Sequence, residues 1–216
     1  MNIKFFNVAL GLALTATAMS ASAQKKISEG VINLEMSIRG QAIPAQNYFR
    51  SDSSAYKLNF GPAAVKILND AAGKSFANVV EVPAFGVKKA AIATPDEVDQ
   101  MVAAFPVLEF TPTTETKQIS GFNCKKVIAK DTKKGATYDI WITNDIEVPF
   151  VGLGKYYAKI GGFPVQYTSF SAQGNAEVTV KSVVEQKVPA GTFGIPADFD
   201  RISLDDLAAM QKGGGQ

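Results

Sequence analysis

The sequence predicts a strand-rich α+β domain: a large, curled antiparallel sheet with two or three short helices. Three observations carry that expectation. Ile32, Leu34, Met36 and Ile38 alternate with Asn33, Glu35, Ser37 and Arg39, the period of a strand with one apolar and one wet face. Similar runs recur along the chain, punctuated by Gly, Pro, Ser and Asn. Helical spacing shows in only a few short stretches. A sheet of nine or ten strands with one apolar face tends to curl around what it covers.

Taken in order, the strand at 32–38 is followed by strand-like runs at 45–50 and 55–60, with residues 51–54 as the turn. Gly61-Pro62 then breaks the pattern, and residues 63–72 are expected as a short helix with Pro62 at its first position and Gly73 closing it. Two more strands are expected at 76–82 and 87–93. Thr94-Pro95-Asp96-Glu97 is a helix start: Thr94 caps, Pro95 presets the first turn and Glu97 completes a capping box. Val98, Met101, Val102 and Phe105 then form an apolar stripe that suits packing on a sheet. Asp96, Glu97 and Asp99 sit where the helix dipole favours acids, which explains them without a metal.

The second half predicts a meander of strands at 114–119, 122–130 and 137–143, joined at Ser120-Gly121 and across 131–135. Tyr138, Ile140 and Ile142 share one face there, with Asp139 and Trp141 on the other. Residues 150–162, spaced by glycines, read either as a loose helix or as a mobile apolar loop. A hairpin of 165–171 and 176–188 turns around Gly174-Asn175, residues 188–193 leave the sheet, and a last helix runs from Ser203 to near Met210. Residues 213–216 are expected as a flexible tail.

Residues 1–23 have the form of a secretory leader: Lys4, an uncharged apolar stretch over 5–18, and the small-x-small site Ala21-Ser22-Ala23 before Gln24. The mature chain is therefore expected as one exported domain over 24–212, in the periplasm or beyond. No second apolar run approaches a membrane span, so no integral span is expected after cleavage. Apolar residues make up 46% of the chain, enough for a sizeable core, and a net charge of +2 gives no argument for nucleic acid.

The chain has no histidine, which removes the commonest general base, the usual zinc ligand and every Ser–His–Asp or Cys–His arrangement. Cys124 is the only cysteine and reads as a small buried hydrophobe. Gly73-Lys74-Ser75 mimics the end of a phosphate-binding loop, but Leu68 stands where the earlier glycine belongs. Asp198, Asp200, Asp205 and Asp206 lack the turn glycine and closing Glu of a calcium loop. No catalytic residue, metal site or cofactor is expected.

The run Thr116-x-x-Ile119-x-Gly121-Phe122-x-Cys124-x-Lys126, the strand Tyr138-Asp139-Ile140-Trp141-Ile142-Thr143, and the close from Val188-Pro189 to Phe193-Gly194-Ile195-Pro196-Ala197-Asp198-Phe199 carry a resemblance. With Glu29-Gly30-Val31-Ile32 they resemble the exported bacterial family designated DUF4412, a domain of unknown function. They are also similar to envelope proteins built like the lipoprotein carrier LolA and its receptor LolB. The resemblance implies an open half-barrel with helices against its concave face, and it brings no catalytic residues.

Two non-catalytic readings follow. In the first, the protein binds a hydrophobic or amphiphilic ligand, lipid or lipoprotein-like, through Met101, Phe105, Phe150, Leu153, Tyr156, Tyr157 and Phe163. In the second, those residues fill the core and an outer surface meets an envelope protein partner. An enzyme is the least favoured class.

Overall fold

The computed structural model describes the backbone of residues 24–38, 40–171 and 174–213, and the side chains of all of these but 152–153 and 211–213. The expected leader and residues 214–216 of the expected tail lie outside the described residues.

After a short strand β1 (Lys25–Lys26) the chain enters a meander: β2 (Gly30–Ile38), β3 (Gln41–Arg50), β4 (Ser53–Phe60), β5 (Ala63–Asp70), β6 (Phe76–Val82) and β7 (Val87–Ile92). Helix α1 (Pro95–Ala104) leads to β8 (Leu108–Ile119), β9 (Phe122–Asp131), β10 (Thr137–Thr143) and the short β11 (Ile146–Glu147). A 3-10 turn covers Gly152–Tyr157. The hairpin β12 (Phe163–Ser171) and β13 (Gly174–Glu185) follows, and β14 (Asp200–Ile202) precedes α2 (Leu204–Gly213).

One 12-stranded sheet runs in the order β14-β7-β6-β5-β4-β3-β2-β13-β12-β10-β9-β8. All its pairings are antiparallel except β14 with β7. The pairing of β2 with β13 joins the two meanders, and β1 with β11 form a separate parallel pair. The sheet is larger than the nine or ten strands the sequence predicts, because the short β14 adds a further strand at its edge and a predicted helix is strand β5.

That segment is residues 63–72. Gly61-Pro62 is the tip of a hairpin, and β5 pairs with strands on both sides: Val65 faces Leu58 and Val80, and Leu68 faces Ala55 and Ala77. Alanine's helical preference is worth only about half a kcal/mol per residue over ordinary residues. Two ladders and a buried Leu68 outweigh it. Gly73 likewise closes a turn, its N–H bonded to the Asp70 carbonyl at 3.2 Å.

Elsewhere local chemistry and structure agree. At Ser120-Gly121 both residues have positive φ, 51° and 85°, so Ile119 and Phe122 close a two-residue hairpin whose twist matches its strands. Both halves of the α1 capping box form: the Thr94 hydroxyl accepts from the Glu97 N–H at 3.3 Å and Glu97 accepts from the Thr94 N–H at 2.6 Å. The apolar stripe of α1 is less buried than its spacing predicts. Val98 is 1% exposed, whereas Val102 is 48% exposed.

The core divides by face. On one face Leu34, Ala45, Leu58, Val165, Val178 and Val180 form a cluster, beside a second built on Val127, Ala129, Ile140, Tyr157 and Ile160. On the other face Ala55, Leu68, Ala77, Val79 and Ala90 lie under Phe193, Ile195 and Phe199 of the segment that leaves β13. Alternation along β4 and β5 puts these clusters on opposite sides of the same strands.

Candidate functional site

The segment between β11 and β12 folds as the 3-10 turn and delivers two aromatic rings to the first face. Tyr157 is 2% exposed, and its hydroxyl donates to the Thr168 carbonyl at 2.7 Å. Its ring meets Tyr156 edge-on at 4.7 Å between centroids and Tyr167 at 5.5 Å. Tyr156 continues the cluster to Phe170 at 5.3 Å and to Phe105 at 5.4 Å, and its hydroxyl accepts from the Phe170 N–H at 3.4 Å. Phe170 in turn meets Tyr138 at 5.0 Å. Edge-to-face contacts of this kind add about 0.5–1.5 kcal/mol each beyond burial.

Burial is the first cause that pushes the phenols of Tyr56, Tyr156, Tyr157 and Tyr167 above the ordinary tyrosine range; neighbouring phenols add to it at all but Tyr156. Tyr56 and Tyr167 are neighbours, both packed against the first cluster. These groups are neutral hydrogen-bonding partners at physiological pH, not bases. Cys124 is 1% exposed, and burial followed by the charge of Asp145 raises its thiol. Among the described residues no group of three or more His, Cys, Asp or Glu is placed to hold a metal ion.

The sequence-predicted ligand residues separate into groups. Phe105, Tyr156 and Tyr157 come together with Phe150 at the second cluster. Phe163, 8% exposed, belongs to the first cluster and meets Phe150 only across a cleft of about 270 Å³ that also touches Gln24, Asn144 and Gly162. Met101 stays half-buried on α1. The side chain of Leu153 lies outside the described residues.

Three polar side chains that sequence reasoning passed over lie on the same face. The side-chain oxygens of Asn47, Asn69 and Asn78 are out of solvent with no hydrogen-bond partner among the described residues. Their positions follow from register. Asn47 pairs with Tyr56, Tyr56 with Ile67 and Ile67 with Asn78, a row across β3 to β6, while Asn69 pairs with Ser54 and Phe76 one step along. An available sequence signal is phase: Asn69 continues the alternation of Val65 and Ile67, so it points where they point.

The opposite face holds a larger groove of about 720 Å³. Its lining includes Gln46, Lys57, Lys66 and Lys181 from the sheet, with Pro196 and Phe199 from the segment after β13.

No family model and no curated protein matches the chain. It is similar to solved structures of PNGF-II. In the C2 crystal form the identity is 18% and the TM-score 0.46, and in the P21 form 15% and 0.48. Each match covers 85% of this chain, yet the chain spans only about a third of PNGF-II, 32% and 33% of its length. Likeness at this level carries no functional implication.

Proposed function

We propose that this chain is an exported, non-catalytic binding protein whose sheet curls into a half-barrel and takes an apolar or amphiphilic ligand against its concave face. The plan is that of the DUF4412 and LolA/LolB-like resemblance. The observation that carries the reading is the set of unpartnered amide oxygens of Asn47, Asn69 and Asn78 on a face otherwise built of apolar and aromatic side chains. A mostly apolar concavity with a few convergent polar groups is the usual composition of a small-molecule site. Each unpartnered acceptor costs about 1–3 kcal/mol, which a donor on a ligand or water would recover.

Two lengths support the curl. Ten spacings separate β7 from β8 in the strand order, about 48 Å if the sheet were flat. The link between them is α1, about 15 Å long. With six extended steps of about 3.5 Å it reaches about 36 Å, too short for a flat sheet. Likewise Tyr56 on β4 and Tyr167 on β12 pack against the same cluster with their phenols close enough to perturb each other, although four spacings, about 19 Å, separate their strands.

The absence of histidine and the burial of the single cysteine support a binding role over an enzymatic one. Among the described residues no helix is long and apolar enough to cross a membrane. Burial of each ligand methylene contributes about 0.8 kcal/mol, so ten methylenes give about 8 kcal/mol before ordering costs. Micromolar binding corresponds to about 8 kcal/mol net, so association and ordering costs are met by further methylenes and by donors to the asparagine oxygens.

A second reading has its own observation. Tyr157 and Phe163, two of the predicted contacts, are buried against other side chains, and the Tyr157 hydroxyl is already bonded to Thr168. A filled core with an envelope protein partner on the outer surface fits that packing. Native mass spectrometry of the mature protein from its own envelope, followed by organic extraction and a fluorescent fatty-acid probe, decides between them. A stoichiometric acyl species displaced by the probe is expected. An apo mass with no probe binding overturns the ligand reading in favour of the filled core.

A further inference from the structure

The groove on the outer face is built around an electrostatic conflict. Lys57 on β4 and Lys66 on β5 are directly opposed in register, and like charges in that relation destabilise a sheet. Among the described residues neither forms an ion pair. The Lys66 ammonium donates to the Gly194 carbonyl at 2.7 Å, and the Lys57 ammonium sits 4.5 Å from the centre of the Tyr48 ring. Burial first, then the charge of Lys57, lowers the Lys66 amine below its ordinary value. The nearby carboxylates are engaged elsewhere: Glu35 with Lys181 at 3.2 Å, and Glu81 within 4.0 Å of Lys88, which also pairs with Asp198.

The rest of the groove supplies what an organic anion needs besides charge. Asn59 adds an amide beside those of Asn33 and Gln46, which already donate to Ser182 and Asn33, and Val79, Pro196 and Phe199 form an apolar wall. Lys57 and Lys66 alternate with Tyr56, Leu58, Val65 and Ile67, so this groove is on the opposite side of the strands from the tyrosine and asparagine face.

We propose that the outer groove is an anion site, in which Lys57 and Lys66 together hold a phosphate group while the carbon skeleton attached to it lies against Val79, Pro196 and Phe199. A phosphate presents oxygens to both ammonium groups at once, which relieves their repulsion and replaces it with charge-assisted hydrogen bonds. The site stands independently of the concave-face reading, because the two lysines and the apolar wall that would hold the ligand lie on the opposite face of the sheet.

The test uses the mature protein and two probes, decyl phosphate as a monomer and inorganic phosphate, titrated by calorimetry at low and raised salt. Decyl phosphate is expected to bind, inorganic phosphate about tenfold or more weakly, and both less well as salt rises. K57Q/K66Q is expected to cut decyl phosphate affinity at least tenfold while keeping the native circular dichroism and an equal or higher unfolding midpoint, since it removes the repulsion. F199A separates a skeleton-bearing ligand from free phosphate by weakening only decyl phosphate. If decyl phosphate does not bind, or binds K57Q/K66Q as well as the parent, the proposal is wrong. In the latter case N78L distinguishes the faces, because loss of binding there assigns the probe to the concave site.

Discussion

Tyr157→Ala tests whether the 3-10 turn is core or lid. The substitution removes a ring that is 2% exposed, its edge contacts with Tyr156 at 4.7 Å and Tyr167 at 5.5 Å, and a donor bonded to the Thr168 carbonyl at 2.7 Å. Loss of a buried aromatic to alanine costs about 3–5 kcal/mol where the cavity cannot collapse. Tyr157→Phe isolates the hydroxyl, which contributes about 1–2 kcal/mol because the carbonyl it leaves has its own desolvation cost. Urea unfolding followed by circular dichroism measures both, with an unchanged slope confirming that the folded state stays compact. In thermal melts the alanine variant is expected to fall by about 2–4 °C for each kcal/mol. A loss below about 1 kcal/mol for Tyr157→Ala would refute the packing argument and restore the turn as a mobile lid, free to open for a ligand.

Other outcomes follow from particular atoms. Gly30→Ala is expected to destabilise by more than about 3 kcal/mol in urea unfolding, because the added methyl would lie 2.2 Å from the Val184 carbonyl oxygen in the β2–β13 pairing that joins the meanders. Thr94→Ala, which removes one half of the capping box, is expected to cost about 1 kcal/mol by the same measurement. The raised phenols of Tyr56, Tyr156, Tyr157 and Tyr167 give stability that is whole below the unfolded tyrosine pKa, about 10, and is lost as pH rises toward their higher folded values. Unfolding midpoints against pH, with a step of added phenolate absorbance on unfolding, check that sign. Asn78→Leu removes an unpartnered buried oxygen, and should leave stability equal or higher by about 1–2 kcal/mol while it weakens binding of the fatty probe.

Period two was legible wherever one face is wet, as at Ile32 to Ile38 and Tyr138 to Thr143, because there the pattern and the pairing coincide. It failed where both faces are covered. In β5, Val65 and Ile67 face one side and Leu68 is buried on the other, so the run loses its alternation and resembles an alanine-rich helix. Pro112 likewise obscured the start of β8; the structure tolerates it because β8 is an edge strand with an irregularity between Pro112 and Thr116. The candidate sites were harder still. Phe105, Tyr156 and Tyr157 were legible as one apolar set, but their partners Phe170 and Tyr138 come from separate strands, and the opposition of Lys57 to Lys66 exists only once β4 and β5 take their register.

The two faces of this sheet share a thermodynamic feature. On one, Asn47, Asn69 and Asn78 hold unpartnered oxygens out of solvent; on the other, Lys57 and Lys66 are set against each other. Apolar residues at the former and one carboxylate at the latter would be locally more stable, by about 1–3 kcal/mol per buried acceptor and about 0.2–1 kcal/mol for an opposite-charge cross-strand pair. Such costs are tolerable in a domain with a large buried core, and they fall where binding would offset them. Elsewhere local chemistry and fold agree at particular places: the helix cap is fully formed, and the Ser120-Gly121 turn adopts the twist its strands require. The proposed ligands would relieve the conflict at both places, whereas a scaffold that binds nothing there would leave it uncompensated.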